Sequence, residues 1–254
     1  MKNNRERIIL LDELRGFAIL AMIVHHSFLD IGSLLGLEWG LEIFTRLFVL
    51  QPLFWGIFII TSGICSRLSR NCIRRGFIVL GAGLGITLVT AVIMPLMNMG
   101  GNEIYFGILH CLGTCMIITG LLMPLIKKIN PVAGMIISVI LFTVTYSVGA
   151  HSLLFGLIPL PEALYRTNLT APLGFYTQSF FSADYFALLP WLFMFLFGAF
   201  LGAYAAEGRF PKFTYNSHIK AFAFVGRNSL WFYLAHQPVI YAAVYAVYLI
   251  FFKK

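Results

Sequence analysis

Charge is what this sequence has least of: Asp, Glu, Lys and Arg make up 11% of its 254 residues, against 59% hydrophobic ones. Ordinary soluble domains carry about 25% charged residues, so this chain cannot cover itself with a normal aqueous surface. Its apolar runs approach membrane-spanning length and show no alternation of period two, which excludes barrel strands and predicts spanning helices. Cysteine is scarce as well. The four present, Cys65, Cys72, Cys111 and Cys115, make no disulfide framework. Cys111 and Cys115 lie one turn apart beside His110, yet no acidic ligand adjoins them, and no metal is expected. The sequence also lacks a phosphate-binding glycine loop, a CxxC pair, HExxH and GxSxG. There is no low-complexity stretch, no second domain, so that residues 1–254 read as one domain, and no internal repeat, which weakens an inverted-repeat transporter reading.

The charges that are present are placed informatively. The net charge of +8 sits in short segments between apolar runs, a positive-inside pattern and not a nucleic-acid surface. The expected fold is an all-α polytopic bundle of about seven spans: residues 8–29, 46–66, 76–97, 104–126, 131–149, 185–205 and 228–250. The basic start (Lys2, Arg5, Arg7) places the N-terminus inside, and so do Arg67–Arg75, Lys127–Lys128 and Arg209–Arg227 for their loops. Only the terminal Lys253–Lys254 pair disagrees. The first run is too long for a signal peptide and lacks a small-residue cleavage site, so it is read as a retained span. Residues 31–45 read as an outer loop. Residues 150–184 are the longest segment between spans, with His151, Glu162, Arg166 and Asp184, and such a length suits a lid or binding loop. The glycines Gly81, Gly83 and Gly85, and the pair Gly198 and Gly202, suit close helix packing.

The first span carries ionisable groups at both ends. At about 100° per residue, Arg15, Ile19, Met22, His26 and Asp30 fall on one stripe, with Asp12 a turn before Arg15. The rise from Arg15 to His26 is roughly 16 Å, so one face connects an interface to a site deep in the bilayer. Charges in such helices usually face protein or water and mark function. His26 and Asp30, spaced i and i+4, can form a general base with its orienting carboxylate; the same spacing fits an interfacial polar pair. His25 is on another face, which favours a lipid-interface or packing role. His110 on the fourth span, Asp184 just before the sixth and His236 on the seventh lie at middle or outer depth and are expected to converge with His26. His110 fits a core histidine equally well, and His236 fits one that satisfies a carbonyl freed by Pro238. Arg15 and Arg227 at span ends can clamp a phosphate bidentately, while an Asp12–Arg15 pair or snorkelling explains them equally.

Several stretches also carry a resemblance. Arg7 followed by Leu11-Asp-Glu-Leu-Arg-Gly-Phe-Ala-Ile-Leu-Ala-Met-Ile, with His26 and Asp30, resembles the first span of the heparan-alpha-glucosaminide N-acetyltransferase catalytic-domain family, in its small bacterial branch. Tyr105-Phe-Gly-Ile-Leu-His110, Gly174-Phe-Tyr, Asp184-Tyr-Phe-Ala-Leu-Leu-Pro-Trp191 and Gly226-Arg-Asn-Ser-Leu-Trp-Phe-Tyr-Leu-Ala-His-Gln-Pro238 are similar to its later motifs, in the same order. The resemblance implies an integral membrane acyltransferase that moves an acetyl group from cytoplasmic acetyl-CoA to an amino sugar or glycan on the other side. It implies Arg15 and Arg227 as donor-binding residues and His26, Asp30, His110 and Asp184 as catalytic ones. Asp12, Tyr185, Trp191, Asn228, Ser229 and His236 then fill substrate or structural roles. The implied partners are acyl-CoA, an envelope glycan and membrane lipids in a bacterial cell membrane, with no nucleic acid and with homo-oligomerisation left open. One departure stands out: lysosomal members carry their proposed active histidine in the loop after span one, and residues 31–46 contain none. His26 is the nearest substitute, which leaves direct transfer and a covalent acyl-histidine route both open. The alternative class is a proton-coupled carrier or channel for a small polar solute.

Overall fold

The computed structural model describes residues 6–252, so Lys2, Arg5 and the Lys253–Lys254 pair lie outside the described residues. The chain folds into helices α1 (Ile9–Leu35), α2 (Glu38–Phe48), α3 (Gln51–Leu68), α4 (Cys72–Leu88) and α5 (Met94–Leu96), the last two joined by a π turn, Val89–Ile93. These are followed by α6 (Ile108–Ile126), α7 (Pro131–Thr145), α8 (Leu188–Ala206), α9 (Lys220–Arg227) and α10 (Ser229–Phe251). Among the described residues the strands are two short ones, β1 (Ser152–Leu153) and β2 (Ile158–Pro159), paired antiparallel in the long segment before α8. Six helices are long and apolar enough to cross a membrane, and α2 with α3, bent by 54° at their junction, would make a seventh span. Only 6% of the apolar window of Cys72–Leu96 and 11% of that of Ser229–Phe251 is buried inside the protein. Outward faces so apolar are stable against lipid and costly against water.

One expectation fails in a readable way. Residues 31–45 are not a loop: α1 continues to Leu35, ends at Gly36 in the left-handed conformation (φ 66°), and α2 begins at Glu38. Glu38, Glu42 and Arg46, whose charges suggested a loop, are spaced by four and make one polar stripe of a helix, with Arg46 paired to Glu42 at 2.6 Å. Leu41, Phe44 and Phe48 occupy the other side.

The helices assemble into two compact units, one made of residues up to Thr61 together with those from Phe210, the other of Ser62–Arg209. In the first, α1 is the hub and packs against α2, α9 and α10. Its crossing with α9 is backbone to backbone: a Cβ on Gly226 would lie 1.7 Å from the Asp12 carbonyl oxygen, and one on Gly16 would lie 1.9 Å from that of Phe222. Glu13 secures the same crossing. Its buried Oε1 accepts hydrogen bonds from Ser217 Oγ (3.1 Å) and from the backbone amides of His218 (2.7 Å) and Ile219 (2.8 Å), the residues that lead into α9. Helix starts carry amides without intrahelical partners, and a carboxylate satisfies them and complements the helix dipole.

In the second unit α4 packs on α6, α7 on α8, and α6 on α8. Of the three glycines expected to support packing of α4, only Gly83 does so, against His110; Gly81 and Gly85 face open space. The close approach of α4 and α6 is made instead by Gly76, Gly113 and Gly120. Gly198 and Gly202 do fulfil their expectation, against the α3 residues Gly63 and Ile64.

Two stability outcomes follow. Gly226→Ala should lower the unfolding midpoint in detergent, because overpacking a close contact costs about 1–3 kcal/mol or more, whereas Gly81→Ala should leave it unchanged or slightly raised. Glu13→Gln keeps the shape but loses charge-assisted acceptance, and should destabilise by about 1–3 kcal/mol in chemical denaturation. Wild-type stability for either Gly226→Ala or Glu13→Gln would contradict the crossing described.

Candidate functional site

Two polar clusters lie along α1 within the first unit. The first surrounds Asp12, a carboxylate buried to within 2% of full enclosure. Its Oδ2 accepts from Arg7 Nε at 2.6 Å and faces Arg227 Nε at 3.6 Å, while its Oδ1 accepts from the guanidinium of Arg15. One carboxylate is thus shared by three guanidinium groups and cannot neutralise them all. Arg15 is largely enclosed, and its Nε is buried without a hydrogen-bond partner among the described residues. A buried guanidinium with an unused N–H, next to the half-exposed Arg227, suits a phosphate oxygen. The expected Asp12–Arg15 pair therefore exists, with Arg7 and Arg227 drawn to the same carboxylate.

The second cluster lies about three turns beyond Arg15 along α1. The His26 ring faces His236 of α10 at 5.3 Å between centroids and the neighbouring His25 at 6.0 Å. Asp30 does not orient His26: both its oxygens accept from Gln237 Nε2, at 3.2 and 3.0 Å, and among the described residues none bonds to the His26 ring. The reason is that α10 brings Gln237 to the buried carboxylate, so the acid is satisfied across two helices instead of along one. His236 Nδ1 is 2.5 Å from the Tyr233 carbonyl oxygen, which fixes a proton on Nδ1 and leaves Nε2 with its lone pair. The carbonyl that Pro238 deprives of its usual partner is that of Leu234, so His236 does not play the compensating role its sequence position suggested. His25 is packed on Phe44 at 4.2 Å and accepts from Gln51 Nε2 at its Nδ1, 3.0 Å away, in keeping with a packing role.

His110 and Asp184 belong to the second unit, together with Tyr185 and Trp191. His110 Nδ1 accepts from the Gly107 amide at 3.1 Å, and its Nε2 lies 3.1 Å from Thr87 Oγ1, which itself donates to the Ile104 carbonyl. Both ring nitrogens are therefore engaged. Asp184 Oδ2 accepts from the Ile108 amide at the start of α6 (3.2 Å). Around it the Ala183 amide donates to Glu103, Phe186 to Phe106, and Tyr105 to the Ser182 hydroxyl. Asp184 thus fastens residues 182–187 to the turn before α6, and His110 ties that turn to Thr87 of α4. Tyr185 donates to the Ala171 carbonyl at 2.7 Å, and burial pushes its phenol well above the usual range. Trp191 packs against Phe186 and Phe142. Asn228 donates to the Phe224 carbonyl, and Ser229 opens α10.

Glu13, Gln51 and Gln237 were given no role from sequence. Gln237 carried a signal in hindsight of its type alone: an amide beside His236 inside an apolar span needs a partner. Glu13 carried less, since its partners lie more than 200 positions away.

A model of the family described as heparan-alpha-glucosaminide N-acetyltransferase, catalytic, matches residues 7–238. No curated protein and no solved structure matches the chain. The family match begins at Arg7 beside Asp12 and ends at Pro238 beyond the His236–Gln237 pair, so it contains both clusters on α1 as well as the long segment before α8. The chain belongs to the heparan-alpha-glucosaminide N-acetyltransferase catalytic-domain family, a family of membrane acetyltransferases.

Proposed function

We propose that the protein transfers an acetyl group from acetyl-CoA, bound from the cytoplasmic side, to the amine or hydroxyl of an amino sugar or glycan presented on the other side of a bacterial cell membrane. The observation that carries this reading is the pair of clusters on one helix: a guanidinium-rich end around Asp12 and Arg15, and an imidazole-rich site at His26, roughly 16 Å beyond Arg15. Arg15 and Arg227 would hold the phosphates of the donor, with Asp12 fixing the direction of both side chains, and the unused Arg15 Nε supports that fit. The positive-inside distribution of Arg67–Arg75 and Lys127–Lys128 supports a cytoplasmic N-terminus.

At the other end, His26 is the proposed general base. The acceptor nitrogen or oxygen attacks the thioester carbonyl, its proton passes to the imidazole, the new C–N or C–O bond forms, and the C–S bond breaks with the proton delivered to the leaving sulfur. His236, whose Nδ1 is committed to the Tyr233 carbonyl and whose ring lies 5.3 Å from that of His26 between centroids, can pass the proton on through its Nε2. Asp30, held by Gln237, supplies negative charge near the imidazolium that forms. Asp184 acts as a positioning residue for residues 182–187, and His110 as one for the turn before α6. Direct attack needs no acyl-histidine.

In nanodiscs with labelled acetyl-CoA and an amino sugar, His26→Ala should lower kcat by on the order of 100- to 10,000-fold, the usual weight of a general base. Undiminished transfer would overturn the assignment. Arg15→Gln should raise KM for acetyl-CoA roughly tenfold, a change of about 1.4 kcal/mol, with kcat within a few-fold; an unchanged KM would remove Arg15 from the donor site.

A further inference from the structure

The most basic segment of the chain lines a groove that the acyl-transfer reading does not use. It has a volume of about 210 Å³ and lies in the second unit, where α3 ends, α4 begins and α6 ends. That is many times the ~10–15 Å³ a single water requires. Arg67, Arg70 and Lys127 line it, and no Asp or Glu does.

These cations lack a directly paired acid: Glu207 acts on Arg67 only across space and is itself bonded to Arg209. Among the described residues, no carboxylate makes an ion pair with Arg67, Arg70 or Lys127, although Asp12, Glu42 and Glu207 each hold arginines elsewhere. The half-buried Arg67 guanidinium instead lies 3.7 Å from Met123 Sδ, another residue of the groove lining. Asn71 caps α4 by accepting from the Arg74 amide at 2.9 Å. Cys72 and Ile73, the first residues of this 17-residue helix, line the groove, so the positive end of its dipole adds to the three side chains. All three helices are apolar up to this point and polar just beyond it, which sets the groove at headgroup depth, where basic pockets between spanning helices receive phosphate groups.

We propose that this groove is a phosphate-binding site, filled by the headgroup of an anionic membrane phospholipid or by a free phosphate, with Arg67, Arg70 and Lys127 as its charged ligands. The proposal does not rest on the acyl-transfer reading, whose donor-binding arginines lie on α1 and α9.

The test is calorimetric titration of the purified full-length protein in zwitterionic detergent with two probes, short-chain phosphatidylglycerol and inorganic phosphate, beside short-chain phosphatidylcholine as a neutral-headgroup reference. Wild-type protein should bind at least one anionic probe more tightly than the reference. Phosphatidylglycerol alone identifies a lipid site, and equal binding of inorganic phosphate identifies a free-phosphate site. The combined Arg67→Gln, Arg70→Gln, Lys127→Gln variant should weaken that binding roughly 10- to 100-fold. Arg74→Gln with Arg75→Gln, in the first turn of α4 but not lining the groove, should change it less than about threefold. Should the combined variant fail to fold, Arg70→Gln alone, at an exposed position, should still weaken binding by about threefold or more. The proposal is overturned if the wild type binds neither anionic probe above the reference, if removing the groove cations leaves binding unchanged, or if the Arg74 and Arg75 changes weaken it as much.

Discussion

Two adjacent carboxylates, Asp12 and Glu13, are buried in the first turns of an otherwise apolar helix, and a buried charge must find partners or be neutralised. The first unit is built on meeting that demand. Asp12 draws three arginines from two parts of the chain, and Glu13 draws the backbone that opens α9. Both arrangements need α9 to touch α1 at the backbone, which Gly16 and Gly226 permit. The same contacts that hold the helices together leave a cationic end on α1 with guanidinium capacity in excess of its acid. In this protein, then, the donor site proposed is a by-product of how a buried acid is satisfied.

The other end of α1 obeys the same rule with a different outcome. Asp30 is satisfied by a neutral amide, Gln237, and not by a cation. Among the described residues no cation is paired with it, and the imidazoles of His26 and His236 lie 5.3 Å apart with the His236 tautomer set by a backbone carbonyl. An acid already paired with arginine would offer a histidine much less. Cations at one end and an acid held by a neutral amide beside imidazoles at the other are the features on which the proposed handling of a phosphorylated donor and a proton-bearing acceptor rests.

Much of this was legible before the structure. The spans follow from apolar length, and the stripe from Asp12 to Asp30 follows from helical periodicity, because both are local properties. What remained hidden depends on partners distant in sequence. The i and i+4 spacing of His26 and Asp30 suggested an intrahelical pair, but Gln237 on α10 captures the carboxylate. Glu13 looked like a neighbour of Asp12 and proves to be the cap of a helix 200 positions away. Charges at Glu38, Glu42 and Arg46 suggested a loop because their count was weighed before their period. The glycines of α4 misled for a related reason: Gly81 and Gly85 face outward, and which face of a uniformly apolar helix meets protein instead of lipid is not written in its own sequence.

The central claim is that the polar face of α1 carries acyl transfer, and locating the donor tests it most directly. An acyl-CoA with a photoreactive acyl group, crosslinked to the purified protein in nanodiscs and mapped by peptide mass spectrometry, should label residues 9–35 and 220–251, competed away by acetyl-CoA. Competable label confined to residues 62–209 would contradict it.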